Sequence, residues 1–200
     1  CADVTGVQTC ALPIWIRPHF VTALDYHDIS SRFYEGLTAE MVEGVTLVAE
    51  PKANPAILRA WPGRLRLVAD PLVDQLLGSS SHASIRGGTT VAHLSYYLAR
   101  YLGCDPVVLV GQDLAYTDGL YYGAGAAIHN VWAAELGEFR TLEMMELERI
   151  GRAKRMLRTT EDAQGRAVFT DEQLHTYRLQ FERDFAEDEH RGLSTLDAGR

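Results

Sequence analysis

From Trp15 onward, short apolar runs alternate with stretches of helical periodicity. "HFVTALD" (His19–Asp25), "GVTLVAE" (Gly44–Glu50), "LRLVAD" (Leu65–Asp70) and "PVVLVGQD" (Pro106–Asp113) are rich in apolar or β-branched residues, and each closes on a polar or acidic one. That is the pattern of a strand. Between them lie "ISSRFYEGL", "NPAILRAW" and "PLVDQLLGSS", then the longer "TTVAHLSYYLARYLG". In this last segment Val91, Leu94, Leu98 and Leu102 recur at helical spacing, and Gly103 supplies a stop. Strands alternating with helices predict an α/β fold, a mostly parallel sheet with helices on both faces. The strands ending at Asp25, Glu50, Asp70 and Asp113 are expected in one sheet. Right-handed crossovers would then put Asp25, Gly88 and Asp113 on one edge.

After Ala127 the character changes, and a helical C-terminal region is expected. "TLEMMELERIGRAKRMLRTT" is charged and helical with Thr141 as N-cap, and "EDAQGRAVFTDEQ" reads as a turn and a short extended segment. Thr170 and Gln173 have the spacing of a capping box for a helix through Leu174, Tyr177, Phe181 and Phe185. These apolar positions are expected inward, with the acidic "FAEDEH" end in solvent.

The first residues stand apart. "VTGVQTCALPI" (Val4–Ile14) resembles the in-frame translation of a short-read library adapter, so residues 1–14 are expected to be an artefact without contacts to the core. The expected division is 1–14, a truncated nucleotide-binding core over 15–135, and a truncated helical extension over 136–200. Setting Cys1 and Cys10 aside leaves Cys104 alone, too few for a disulfide framework or a cysteine-rich metal site.

Composition narrows the function classes. With 46% hydrophobic and 23% charged residues the chain can bury a sizeable core. A formal net charge of −8 argues against a nucleic-acid partner. No apolar run approaches the roughly 18 residues of a membrane span, and a cytoplasmic location is expected.

In open parallel sheets, ligands bind beyond the carboxyl ends of the strands, where helix N-termini present unpaired N–H groups. That rule selects Asp25, Tyr26, His27 and Asp28 after the first strand. It also selects "RGGTT", in which Gly87 and Gly88 admit close backbone approach and Thr89 and Thr90 carry hydroxyls. The third set is "GQDLAYTDGLYY", with Gln112 and Asp113 at a strand end and Tyr116, Tyr121 and Tyr122 beyond it. Together they suit a phosphate-bearing ligand, with donors for the phosphate and carboxylates for a ribose. The bland alternatives are a plain Gly-Gly connection with Thr89 as a cap, and strand-end acids as N-caps. His93 is expected as a core histidine and Cys104 as a structural thiol. The spacing of His93, His129, His175 and His190 matches no metal motif, and no metal site is expected.

"GGTTVAHLSYYLARYLGCDPVVLVGQDLAYTDG" resembles the core motif of the motility-associated factor family, glycosyltransferases that decorate flagellin with nonulosonic acids. That family shares a domain with the archaeal 6-hydroxymethylpterin diphosphokinases. "IRPHFVTALD" and "EDAQGRAVFTDEQLHTYRLQFERDFAE" extend the similarity, which covers Ile16 to Arg200. The resemblance implies a Rossmann-like core and transfer of a nucleotide-activated sugar, CMP-linked, to a protein hydroxyl such as one on flagellin. It puts Gly88, Thr89 and Thr90 against the nucleotide and Asp113 at its ribose or base. Tyr116, with Tyr121 or Tyr122, would donate to the departing phosphate. His129 is the candidate general base. The family's upstream Gly-x-Gly-Pro-Ser-Leu loop is absent, and "LYYGAGAAIHN" replaces its usual Lys/Thr-His-Ala. Two alternatives remain. One is pyrophosphoryl transfer from ATP to a pterin alcohol, with Asp25 or Asp113 holding Mg²⁺. The other is a non-catalytic nucleotide-binding or assembly domain.

Overall fold

The computed structural model describes residues 4–6, 17–78, 85–120, 129, 132–152, 156–162 and 164–197. The chain forms two compact units, Cys1–Cys104 and Asp105–Arg200. The boundary precedes the change in sequence character near Ala127.

The first unit is a four-stranded sheet of order β1 (Val4–Gly6), β2 (Phe20–Ala23), β3 (Thr46–Ala49) and β4 (Arg64–Leu67), parallel throughout. All four residues of β3 are buried, as required of an inner strand covered on both faces. Val21, Ala23, Leu47 and Ala49 pack on one face with Tyr34, Val42, Val45, Ile57 and Trp61. Val48 lies in the other core with Val68, Leu94 and Leu98. Burial of each large apolar side chain contributes about 1.5–3 kcal/mol. Thr22 is also fully buried, and its hydroxyl shares a 2.6 Å hydrogen bond with that of Ser95 on α3 (Val91–Tyr101). The fold class expected from the sequence is the one observed, an α/β, Rossmann-like arrangement.

Val4–Gly6 pairs with β2 in register Val4 with Phe20, although this stretch was expected to make no contact with the core. An open strand edge presents unpaired N–H and C=O groups, which an extended β-branched segment can satisfy whatever its origin. Residues 7–14 lie outside the described residues.

Local chemistry sets the helix starts. Asn54 caps α1 (Pro55–Ala60), its Oδ1 accepting from the Ala56 N–H at 2.8 Å. Asp70 caps α2 (Pro71–Leu77) by accepting from the N–H groups of Leu72 and Val73. For α3 the cap is Thr90, not Thr89, and Thr90 Oγ1 accepts from the His93 N–H at 3.3 Å. Gly103, at φ +79°, follows its end as anticipated. Gly88 explains why this helix opens on glycine: a Cβ there would lie 2.4 Å from the Cβ of His93 and 3.0 Å from the Leu94 nitrogen. At Gly87 the nearest atom to such a Cβ would be a Glu50 carboxylate oxygen at 3.1 Å.

In the second unit, β5 (Val107–Leu109) pairs in parallel with β8 (Thr195–Asp197). It does not join the four-stranded sheet, which corrects the expected single sheet of four acid-ended strands. The Val107 N–H donates to the Ser194 carbonyl at 3.0 Å, and Asp105 Oδ1 accepts from the Ser194 N–H at 2.8 Å, fixing that partner. β6 (Leu157–Glu161) and β7 (Ala167–Asp171) form an antiparallel hairpin; the expected turn and extended segment lie within it, but Leu157–Thr160, expected to be helical, are strand because they pair with β7. Asp162 Oδ1 accepts from the N–H groups of Gln164 and Arg166 within that turn. α4 (Leu142–Arg152) begins after Thr141, whose hydroxyl accepts from the Met144 N–H.

α5 (Glu172–His190) is capped by Asp171 rather than by a Thr170 capping box. Its Oδ1 accepts from the Leu174 N–H at 2.8 Å, while the Thr170 hydroxyl donates to the Leu114 carbonyl at 2.9 Å. Asp188 of α5 is buried, so the acidic end expected in solvent is partly inward, and Asp184 just before it is buried as well.

The glycine pair gives a test. Gly88→Ala is expected to destabilise the chain by about 1–3 kcal/mol through backbone and side-chain overlap. Gly87→Ala meets only the end of a flexible glutamate and should cost much less. Urea unfolding of the two variants measures the contrast, and equal losses would refute it.

Candidate functional site

The carboxyl end of the first unit's sheet gathers the first two residue sets selected from the sequence. Asp25 follows β2 and accepts from the Ser30 hydroxyl at 3.0 Å. The turn is braced from α1: the Asn54 N–H donates to the Asp25 carbonyl at 2.9 Å and its Nδ2 to the Tyr26 carbonyl at 3.0 Å. Behind Asp25, burial and then the carboxylate's charge push the Tyr34 hydroxyl far above its ordinary range. Glu50 follows β3, and its carboxylate reaches Gly87. The start of α3 therefore opens at the carboxyl end of β3.

Gly87 and Thr89 are exposed there, and Gly88 and Thr90 half-buried. The Thr90 hydroxyl bonds His93 Nδ1 at 2.8 Å, and the Thr89 hydroxyl lies 3.5 Å from the same nitrogen. His93 is fully buried, as expected of a core histidine. Arg86 adds positive charge beside this start, its guanidinium 5.8 Å from the centre of the Tyr97 ring. Next along the edge, Lys52 pairs with Asp70 at 2.8 Å. That hydrogen bond, helped by the Val73 N–H, holds the Asp70 carboxyl below the usual carboxylate range and raises Lys52.

The second unit holds the third set. Gly111, at φ +71°, turns the chain out of β5, and Leu114 takes φ +50°, a left-handed conformation costly for a branched side chain. Two ties from β7 hold this bend: the Thr170 hydroxyl on the Leu114 carbonyl, and the Tyr116 N–H on the Phe169 carbonyl at 2.7 Å. Such strain persists where surrounding structure imposes it, and often marks a functional bend. Asp113 is half-buried, and Gln112 Oε1 is buried with no hydrogen-bond partner among the described residues.

Tyr116 departs from its expected role. It is 4% exposed, and its hydroxyl donates to Asp171 Oδ2 at 2.5 Å instead of facing a ligand. Tyr121 and Tyr122 lie outside the described residues. His129 is buried and bonded through Nε2 to the fully buried Glu146 of α4 at 2.8 Å.

Three groups escaped the sequence reading. Glu50 and Lys52 carry no motif beyond their place after a strand. Glu146 had a signal, a carboxylate amid the apolar positions Met145 and Ile150 of an amphipathic helix. Among the described residues no group of three or more His, Cys, Asp or Glu side chains is placed to hold a metal ion. No helix among them is long and apolar enough to cross a membrane.

A model of the family described as 6-hydroxymethylpterin diphosphokinase MptE-like matches residues 12–119. No curated protein matches. Among solved structures, the MAf glycosyltransferase from Magnetospirillum magneticum AMB-1 is similar, with 17% identity and a TM-score of 0.52. The alignment covers 84% of this chain and 22% of that one, so the chain spans about a fifth of that glycosyltransferase, and the likeness is one of fold.

Two measurements probe the ties. Tyr116→Phe leaves the buried Asp171 carboxylate short of a donor and should lower stability by about 1–3 kcal/mol; an unchanged urea midpoint would refute the tie. Asp70 has a depressed pKa, so its ion pair stabilises above the unfolded carboxylate range of about pH 4 and is lost as pH falls through the folded value. Asp70→Asn should therefore show a flatter loss of stability below about pH 4, read by acid titration of the unfolding midpoint.

Proposed function

This chain belongs to the 6-hydroxymethylpterin diphosphokinase MptE-like family, and from that premise we propose that it serves a transferase whose nucleotide phosphate rests on the start of α3. The observation that carries this reading is the opening of that helix beside Glu50, with Gly87 and Thr89 exposed at the carboxyl end of a parallel sheet. The donor is a nucleotide-activated sugar, a CMP-linked nonulosonic acid, and the acceptor a protein hydroxyl such as one on flagellin. The shared fold with a glycosyltransferase supports the reaction class. A cytoplasmic setting would suit a soluble nucleotide-sugar donor.

Breaking a glycosyl–phosphate bond builds negative charge on the leaving group. In this reading the dipole and first-turn N–H groups of α3 answer that charge, and the Thr89 hydroxyl turns to it from His93. With the Tyr116 hydroxyl held by Asp171, the helix start takes the role first expected of the tyrosine. Asp25 suits ribose hydroxyls.

The family's description favours a second reading, pyrophosphoryl transfer from ATP to a pterin alcohol with Mg²⁺ on Asp25 or Asp113. A non-catalytic nucleotide-binding or assembly role is the third. Calorimetry with CMP, ATP and 6-hydroxymethylpterin separates them. CMP binding is expected, weakened about fivefold by Thr89→Val, the equivalent of one hydrogen bond of about 1 kcal/mol. Asp25→Ala should also weaken it. Binding of ATP and pterin with no response to CMP would establish the second reading, and no nucleotide binding the third.

A further inference from the structure

Tyr116 joins the edge of β7 through a single bridge, its N–H on the Phe169 carbonyl at 2.7 Å, and the two segments then part. The turn Thr117–Gly119 swings away, with Asp118 at φ +55° and Gly119 at φ +74°. Among the described residues no further backbone hydrogen bond joins this turn to residues 166–169. The divergence leaves a cleft of about 250 Å³ that opens to solvent and lies wholly within the second unit.

Its two walls carry opposite charges. On the turn, Asp118 is exposed, and its carboxylate makes no ion pair or hydrogen bond among the described residues. Its neighbour Thr117 supplies a hydroxyl. On the hairpin, Arg166 is held along one edge only, its Nε donating to Asp162 Oδ2 at 2.7 Å. Asp162 is fixed in turn, since its Oδ1 accepts from the N–H groups of Gln164 and Arg166. These bonds, that of the Arg166 N–H foremost, hold its carboxyl below the usual carboxylate range. The guanidinium is thus oriented, while its two Nη groups keep the forked geometry that takes a carboxylate. Among the described residues Asp118 and Arg166 do not pair with each other across the gap.

The hairpin wall adds a backbone edge and a ring. Asp162 and Arg166 are a hydrogen-bonded pair, so Ala167, the next position, turns its N–H and C=O away from β6. That is the side on which Tyr116 meets Phe169 and the cleft opens. Phe169 is 56% exposed and gives the cleft its large apolar surface.

An anion would be drawn to Arg166 and repelled by Asp118, and a cation the reverse. A small zwitterion answers both walls. We propose that this cleft binds a free α-amino acid with an apolar side chain, its carboxylate on the Arg166 fork and the Ala167 N–H, its ammonium on Asp118 and the Thr117 hydroxyl, and its side chain against the Phe169 ring. The volume is below the roughly 300–1,000 Å³ of sites for drug-sized ligands, which suits a molecule of a single residue. The binding uses nothing of the nucleotide site and does not rest on the transferase reading.

Titration of the nitrogen-15-labelled 200-residue chain with L-leucine tests this. The amides of residues 117–119 and 166–169 should shift together and saturably, half-way at about 1–10 mM, since water screens both charges and Asp162 offsets part of one. 3-Methylbutylamine, which lacks the carboxylate, and 4-methylpentanoate, which lacks the ammonium, should each bind about tenfold more weakly. Asp118→Asn and Arg166→Gln should each weaken leucine by about the same factor. Asparagine adopts the left-handed conformation as readily as aspartate, so Asp118→Asn stays informative even where loss of the Arg166–Asp162 pair loosens the hairpin. No saturable shift in these amides, or equal affinity for leucine and either analogue, would overturn the proposal. Trileucine binding as tightly as leucine would also overturn it, in favour of a peptide-binding edge.

Discussion

A parallel sheet must be covered on both faces, and in the first unit most other features follow from that demand. β3, hydrogen-bonded on both sides, has no exposed residue, so Thr46–Ala49 splits its side chains between two separate cores. One core is closed by α1 and the Asp28–Tyr34 turn, the other by α3. Covering the faces leaves the polar chemistry to the strand ends, where Asp25, Glu50 and Asp70 emerge. The same demand draws α3 tightly onto its own approach segment, and only glycine fits at position 88.

The second unit is held differently. Its sheets are two-stranded, and such small sheets are marginal without further support. That support is polar: Thr170 on the Leu114 carbonyl, Tyr116 on Asp171, Asp105 on the Ser194 N–H, and Glu146 on His129. Buried polar contacts demand specific geometry in a way apolar ones do not, which suits a bend kept in a costly left-handed conformation.

The strands of the first unit and the long helices were legible because hydrophobic periodicity reports burial, and burial is what those elements share. Helix caps were legible only to within a residue. Thr89 and Thr90 offer the same hydroxyl, as Thr170 and Asp171 both offer an oxygen, and the choice between them depends on where the backbone leaves the helix. Strand partners were not legible. "PVVLV" resembles an inner strand, yet Val108 and Val110 are exposed, and Ser194 and Asp105 determine the pairing from 89 residues apart. The candidate site was legible where a strand or helix end defines it, at Asp25 and Gly87–Thr90. The roles of Tyr116 and Glu146 depend on contacts distant in sequence, Tyr116 with Asp171 and Glu146 with His129, and periodicity carries no information about such partners.

One carboxylate has two duties. Asp171 Oδ1 closes the first turn of α5, while its Oδ2 anchors the hydroxyl of a tyrosine whose own N–H pairs with β7. Fraying of the helix start and release of the Tyr116 bend therefore share one cost, and neither can open cheaply while the other stays closed. In hydrogen-exchange terms, the amides of Leu174 and Tyr116 belong to one cooperative unit, although 58 residues separate them in the sequence. The bend carrying Gln112 and Asp113 then takes its rigidity from a helix it precedes by a third of the chain.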